Sequence, residues 1–332
     1  MDKKILIKTV ARLVKSPKGI LAIDESTKTC NSRFEKLGVP TTIEKRQEYR
    51  ELLVTAKDIE KYISGYILYD ETIRQSTKDG KSFISILQNK KIDVGIKVDE
   101  GTIDFGNIPG DKITQGLNGL SNRLKEYKEM GATFAKWRAI YTIADMTPSV
   151  ADMEANAKLF SEYALACQGN NIVPIVEPEV LIDGDHSIEK CFEITAKNLD
   201  IVFAELKSAG VFIPGIILKT SMVIAGNKFS KQSTPEEVAM ATLKCLKEHV
   251  PEDIGGIVFL SGGQGDEQAT LNLNAMKKDK KLPWALTFSY GRAIQNGALM
   301  SWAKNPLDVS SAQKLLVEAA KRNSLASVGK YK

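Results

Sequence analysis

Short apolar runs rich in branched residues alternate, from Gly19 onward, with longer stretches whose apolar residues recur every three or four positions. The runs read as eight strands: Gly19 to Asp24, Ile63 to Tyr69, Val94 to Asp99, Phe134 to Tyr141, Ile172 to Val180, Gly215 to Met222, Ile257 to Gly262 and Trp284 to Gly291. The stretches between them read as helices with marked ends. Thr234-Pro235-Glu236-Glu237 has the form of a capping box with proline in the first turn, ahead of Val238 to His249. Ser187 is placed to cap Ile188 to Ala209 with Gly210 as the stop, and Gly131 and Gly169 are expected to end two further helices. Before the first strand, Met1 to Lys15 carries Ile5, Leu6, Val10, Leu13 and Val14 at helical spacing among lysines. Without an uninterrupted apolar core or a small-residue cleavage site, it reads as an amphipathic helix rather than a signal peptide. Eight strand and helix units with no Pro/Gly/Ser-rich linker predict an α/β chain forming one (β/α)8 barrel over residues 1–332. A doubly wound sheet is the alternative, with less support because no GxGxxG follows the first strand.

One polar residue breaks the pattern most sharply. Within the apolar run Gly215 to Met222 stands Lys219, near what should be the C-terminal end of a buried parallel strand. Burial would disfavour its ammonium form and leave a nucleophilic amine able to form a Schiff base with a ketone. The plainer alternative is a lysine whose stem packs on the core while its head reaches water.

In a barrel of this type, function gathers where the strands end, and those ends are unusually charged. They carry Asp24, Glu25 and Ser26; Lys97 and Asp99; Lys136 and Arg138; Glu177 and Glu179; Lys219; Ser261, Gly262 and Gly263; and Ser289, Tyr290, Gly291 and Arg292. Charges inside parallel strands must pair, so acids and bases should mix in one polar pocket. There Lys136 would help keep Lys219 neutral by like-charge repulsion, Glu177 would move the protons that expel water from a carbinolamine, and Asp24 would take a proton from a substrate hydroxyl. The loops with Gly262, Gly263 and Gly291 let backbone N–H groups approach a phosphate, with Arg292 as a charged fork. Lys97, Arg138, Ser26 and Thr29 would hold a second phosphate, which suggests a bisphosphorylated sugar. Each piece also has a structural reading: a tight turn at Gly262-Gly263, a cation-aromatic patch at Lys136-Trp137-Arg138, and structural pairing of Glu177 and Glu179 with the lysines.

Composition narrows this picture little. The chain has 332 residues, 43% hydrophobic and 26% charged, enough for a full-sized core. A net charge of +5 spread along the chain demands neither nucleic acid nor a membrane surface. No apolar run reaches membrane-spanning length. Cys30, Cys167, Cys191 and Cys245 lack metal-site spacing and read as reduced thiols, pointing to a cytoplasmic protein. With only His186 and His249, a histidine-rich metal site is disfavoured, and Asp183, Asp185 and His186 are expected in a surface loop.

Several of these motifs, in this order, resemble one family. Gly19-Ile20-Leu21-Ala22-Ile23-Asp24-Glu25-Ser26-Thr27, Gly95-Ile96-Lys97-Val98-Asp99, Phe134-Ala135-Lys136-Trp137-Arg138, Val173-Pro174-Ile175-Val176-Glu177-Pro178-Glu179, Phe259-Leu260-Ser261-Gly262-Gly263-Gln264 and Phe288-Ser289-Tyr290-Gly291-Arg292 resemble class I fructose-1,6-bisphosphate aldolase, from about Gly19 to Tyr331. The resemblance implies a (β/α)8 barrel, usually a homotetramer, that cleaves fructose 1,6-bisphosphate reversibly to dihydroxyacetone phosphate and glyceraldehyde 3-phosphate without cofactor or metal. On that resemblance Lys219 matches the Schiff-base lysine, Glu177 the dehydration acid and base, Glu179 the second acid, Lys136 the electrostatic partner and Asp24 the base for the C4 hydroxyl. Ser261, Gly262, Gly291 and Arg292 match the C1-phosphate cradle, Gly263 and Ser289 are counted with the phosphate-binding residues, and Ser26, Thr29, Arg33, Lys97 and Arg138 fall on the C6-phosphate side.

Three departures from the family pattern stand out. Thr220-Ser221 follows the lysine where animal relatives carry Pro-Asn; Ser32 stands where a lysine is common, leaving Arg33 as the base there; and the chain stops at Lys332, where longer relatives continue into a tail ending in tyrosine. Slower protonation of the enamine at C3 is the expectation from the last. The Ser32 change leaves a ketose 1-phosphate aldolase or another Schiff-base lyase as alternatives, and a scaffold role, for instance toward cytoskeletal proteins, as a second function.

Overall fold

The computed structural model describes residues 1–277 and 281–332. Among the described residues ten strands occur: β1 (Gly19–Ala22), β2 (Ile63–Leu68), β3 (Asp93–Lys97), β4 (Thr102–Asp104), β5 (Lys112–Thr114), β6 (Phe134–Tyr141), β7 (Val173–Val180), β8 (Ile217–Thr220), β9 (Gly256–Phe259) and β10 (Leu286–Tyr290). Eight of them close a parallel barrel in the order β1, β2, β3, β6, β7, β8, β9, β10 and back to β1. The helices are α1 (Lys3–Leu13), α2 (Thr27–Glu35), α3 (Ile43–Thr55), α4 (Asp70–Ile73), α5 (Phe83–Asn89), α6 (Leu120–Met130), α7 (Val150–Gly169), α8 (Ile188–Ser208), α9 (Pro235–His249), α10 (Asp266–Met276), α11 (Arg292–Lys304) and α12 (Val309–Ala326).

The expected barrel is the observed one, with shorter strands. The run Gly215 to Met222 supplies only Ile217–Thr220, because Ile213–Gly215 forms a tight 3-10 turn around Pro214. Asp24, Asp99 and Gly262 lie past the ends of their strands, in the loops at the mouth. The antiparallel pair β4 and β5 was not anticipated; three-residue strands are too short to show an alternation. Thr234 caps α9 in a full capping box, Ser187 caps α8, and Gly131 ends α6 with φ 114°. α7 does end at Gly169, but as its last helical residue rather than as a left-handed stop; the left-handed turn falls on Asn171 at φ 54°. Asn tolerates that conformation, so glycine was not required there.

Inward-facing Ile20, Ala22, Ile67, Phe134, Val173, Ile175, Ile217 and Val258 fill the lower barrel. They form one apolar cluster with Leu6, Val10, Leu13 and Val14, so α1 plugs the N-terminal end. Its spacing explains this: Leu6, Val10 and Leu13 share one stripe and are buried, while Ile5 and Ile7 remain exposed. The plug fits because the strand opposite is small, a Cβ on Gly65 meeting Leu13 Cδ2 at 2.7 Å. With one mouth closed, the barrel is accessible from the other, where the charged strand ends emerge. Among the described residues no helix is long and apolar enough to cross a membrane.

Candidate active site

Strand alternation builds the site. Lys136 and Arg138 on β6, and Glu177 and Glu179 on β7, are each two residues apart and so point to the same side, into the barrel above the apolar layer. Parallel register aligns Lys97 with Lys136 and Arg138 with Glu177. Lys219 enters from β8, 4% exposed, within four fully buried strand residues.

Acids and bases interleave there. Lys219 Nζ lies 2.9 Å from Glu177 Oε1, and the other carboxylate oxygen of Glu177 lies 3.2 Å from Lys136 Nζ. Glu177 therefore stands between the two lysines, so the nearest charged partner of Lys219 is an acid rather than Lys136. Lys136 reaches further to Asp24 at 2.8 Å and Asp99 at 3.9 Å, and Lys97 closes on Asp99 at 2.6 Å. Arg138 Nε donates to Glu179 Oε2 at 2.5 Å. Such a network tolerates burial because each charge has a partner.

The shifts follow from that pairing. Burial alone would raise the Asp24 carboxyl, but the ammonium groups of Lys136 and Lys219 and the hydrogen bond from Lys136 outweigh it and lower it to about 2. Lys136 is pushed down by burial and more strongly up by Asp24, Glu177 and Asp99, ending above the usual lysine range. Glu179 is raised by burial and lowered further by Arg138, ending below the usual carboxylate range. Glu177 Oε2 is buried and, apart from its ion pair with Lys136 at 3.2 Å, has no hydrogen-bond partner in the protein.

Around this centre opens a cleft of about 1110 Å³. Its wall includes Asp24, Ser26, Thr29, Arg33, Lys97, Lys136, Arg138, Glu177, Glu179, Lys219, Ser261, Gly262, Ser289, Gly291 and Arg292, every candidate except Gly263. Gly263 does not line it: a Cβ there would meet Ile182 Cγ2 at 3.2 Å and Arg292 Nη2 at 3.8 Å, and its φ of +90° belongs to the turn. On one side of the mouth α11 begins at Gly291 and Arg292, and its first N–H groups open at the cleft wall. Ser289 Oγ, buried, has no partner in the protein.

Arg33 lines the cleft, but its guanidinium is engaged by Glu25, by Gln295 Oε1 at 3.2 Å and by Asn296 Oδ1 at 3.2 Å. Arg50, 2% exposed, grips Glu25 from behind at 2.9 Å. This clamp escaped sequence reasoning, since Arg50 lies on α3 and Gln295 on α11, far apart in the chain. Asp99 was visible as a strand-end acid, and its spacing of two from Lys97 was the signal for a shared side. His186, expected in a surface loop, is 7% exposed and packed between Gly184 and Gly226. Among the described residues no group of three or more His, Cys, Asp or Glu side chains could hold a metal ion. The four cysteines are free and buried.

A parallel barrel with a buried primary amine paired to a carboxylate, opening on a basic cleft, defines an enzyme suited to carbonyl chemistry on anionic substrates. The family model for fructose-bisphosphate aldolase class-I matches residues 5–332, and the chain belongs to that family. It is 49% identical over the full length of both chains to the probable fructose-bisphosphate aldolase class 1 of Xanthomonas campestris. It is 44% identical to the fructose-bisphosphate aldolase of Dictyostelium discoideum, across 98% of this chain and 92% of that one. Among solved structures it superposes with a TM-score of 0.97 and 44% identity on the fructose-bisphosphate aldolase of Plasmodium falciparum in ternary complex with TRAP and a small-molecule inhibitor. That superposition covers 99% of this chain and 95% of the other.

Proposed function

We propose that the chain cleaves fructose 1,6-bisphosphate reversibly to dihydroxyacetone phosphate and glyceraldehyde 3-phosphate through an imine on Lys219, serving glycolysis and gluconeogenesis. The observation that carries this reading is the 2.9 Å pair of Lys219 and Glu177 at the floor of a basic cleft. Lys219 attacks as the free amine, and Glu177, the nearest acceptor, takes its proton. The carbinolamine that forms at C2 then loses its hydroxyl as water, protonated by Glu177, and the imine results. Asp24, held ionised by Lys136, accepts the C4 hydroxyl proton as the C3–C4 bond breaks. Electrons flow into the iminium to leave an enamine, and glyceraldehyde 3-phosphate departs. Protonation at C3 and addition of water regenerate Lys219 and release dihydroxyacetone phosphate. Lys136 stabilises both carboxylates throughout, and Glu179 keeps Arg138 oriented.

The C1 phosphate is assigned to Ser261, Gly262, Ser289 and the start of α11 at Gly291 and Arg292; Gly263 shapes the turn that presents them. The C6 phosphate is assigned to Ser26, Thr29, Lys97 and Arg138. Sugar phosphates are thus the partners proposed, with the cytoplasm as the compartment, a homotetramer as the assembly and no cofactor. Full-length kinship with aldolases from bacteria and eukaryotes supports the reading. The test is cleavage of fructose 1,6-bisphosphate in the presence of a chelator, with both triose phosphates quantified: equal amounts are expected, and absence of cleavage in folded protein contradicts it.

A further inference from the structure

The C6-phosphate side lacks an obvious cation on α2. Ser32 is uncharged, and the guanidinium of Arg33 is already shared among Glu25, Gln295 and Asn296. Two lysines flank that gap. At roughly 100° per residue, Lys28, Ser32 and Lys36 fall one turn apart on one face of α2. Cys30 and Phe34 fall on the opposite face and are buried, Phe34 against Tyr49 and Trp302. The helix is thereby held with its lysine face toward solvent, and Lys28, Ser32 and Lys36 all lie on the wall of the same cleft. Neither lysine has an ion pair among the described residues.

Lys28 also breaks a local rule. It stands in the first turn of α2, whose N-terminal end repels cations, and that turn contains no acid to offset it. Beside it are the hydroxyls of Ser26 and Thr29, 3.1 Å apart, at a helix start where the Thr29 N–H is capped by Ser26 Oγ and the N–H groups of Thr27 and Lys28 precede it. Every group there except Asp24 and Glu25, both already paired, favours an anion. A rule broken with no compensation inside the protein marks a place where the compensation comes from a ligand.

We propose that Lys28 supplies the charge for the distal phosphate of the substrate, one helical turn from Ser32, with Lys36 adding a weaker attraction at the outer rim. This rests on the bisphosphate reading above. It makes Lys28 the residue that sets preference for a bisphosphate over a 1-phosphate, since the latter has nothing for it to bind.

The experiment compares kcat/KM for fructose 1,6-bisphosphate and fructose 1-phosphate in the full chain and in Lys28→Ala, Lys36→Ala and the double variant Lys28→Ala/Ser32→Lys. Lys28 is exposed, so its loss should leave folding intact. Lys28→Ala should lower kcat/KM for the bisphosphate by about 10-fold or more, the usual worth of a charge-assisted hydrogen bond, and leave the 1-phosphate within about two-fold. Lys36→Ala should cost about three-fold or less on the bisphosphate, as expected for an exposed charge. Ser32→Lys should restore most of the preference lost with Lys28. An unchanged ratio in Lys28→Ala, an equal loss on both ketoses, or no rescue by Ser32→Lys would overturn the proposal while leaving the aldolase reading in place. A parent chain that cleaves neither ketose would overturn both.

Discussion

Lys136 Nζ lies 2.8 Å from Asp24 Oδ2 and is the only ammonium within 4.0 Å of that carboxylate among the described residues. The same ammonium lies 3.2 Å from Glu177 and 3.9 Å from Asp99, so one buried cation sits against three carboxyl groups. Lys136→Met should therefore leave Asp24 without an ammonium partner, while Glu177 keeps Lys219 and Asp99 keeps Lys97. Cleavage should fall by about 10² to 10⁴-fold, the range for a lost acid or base function. Stability should fall by about 3 to 5 kcal/mol, as when a buried pair loses a partner. Steady-state kinetics and urea denaturation check the two effects separately.

Behind the site, the clamp of Arg50 and Arg33 on Glu25 fixes the residue next to Asp24. Glu25→Gln should weaken the hold on the chain leaving β1 and so displace Asp24, for which we propose a role only in breaking the C3–C4 bond. Cleavage of the bisphosphate should drop by about 10-fold or more, in proportion to a small misplacement of a reacting group. Imine formation with dihydroxyacetone phosphate, which needs no C4 base, should be retained. Loss of both in parallel would show a general structural defect instead.

Far from the cleft, Asp152 in the first turn of α7 is 1% exposed and faces Asp111, Asn156 and the backbone of Lys112. Burial and the charge of Asp111 push its carboxyl up to about 7 despite the hydrogen bond from Asn156. The folded state thus prefers the protonated acid. Stability from this group is fully present below the ordinary carboxylate range near 4 and declines as pH rises toward 7. Asp152→Asn should raise Tm at pH 8 and change it little at pH 4, measured by thermal melts across that range.

The plug makes a prediction about the fold itself. Leu13 is fully buried between α1 and the lower barrel, so Leu13→Ala should destabilise by about 2 to 5 kcal/mol. A calorimetric Tm within a degree of the parent would contradict the role given to α1.

How much of this was legible depended on whether a feature was local. The barrel was readable because eight branched runs alternate with capped helices, and the capping box of α9 stands in consecutive residues. Strand-end charges were readable because a period of two carries Lys136 with Arg138 and Glu177 with Glu179. The strand limits were not, since Pro214 turns the chain before Ile217 and the mouth loops continue the apolar pattern past the last ladder bond. The engagement of Arg33 was hidden for a different reason: Glu25 is eight residues away, but Gln295 and Asn296 arrive from the far end of the chain. Lys28 carries no signal of its own in the sequence; only the burial of Cys30 and Phe34 fixes which face of α2 it shares with Ser32 and Lys36.

The central claim is that Lys219 is the nucleophile, and borohydride trapping tests it directly. The protein is incubated with dihydroxyacetone phosphate, reduced, and the adduct located by peptide sequencing. An adduct on Lys219, absent with loss of cleavage in Lys219→Met, is the result predicted. An adduct confined to another lysine, or cleavage that persists in Lys219→Met, would contradict it.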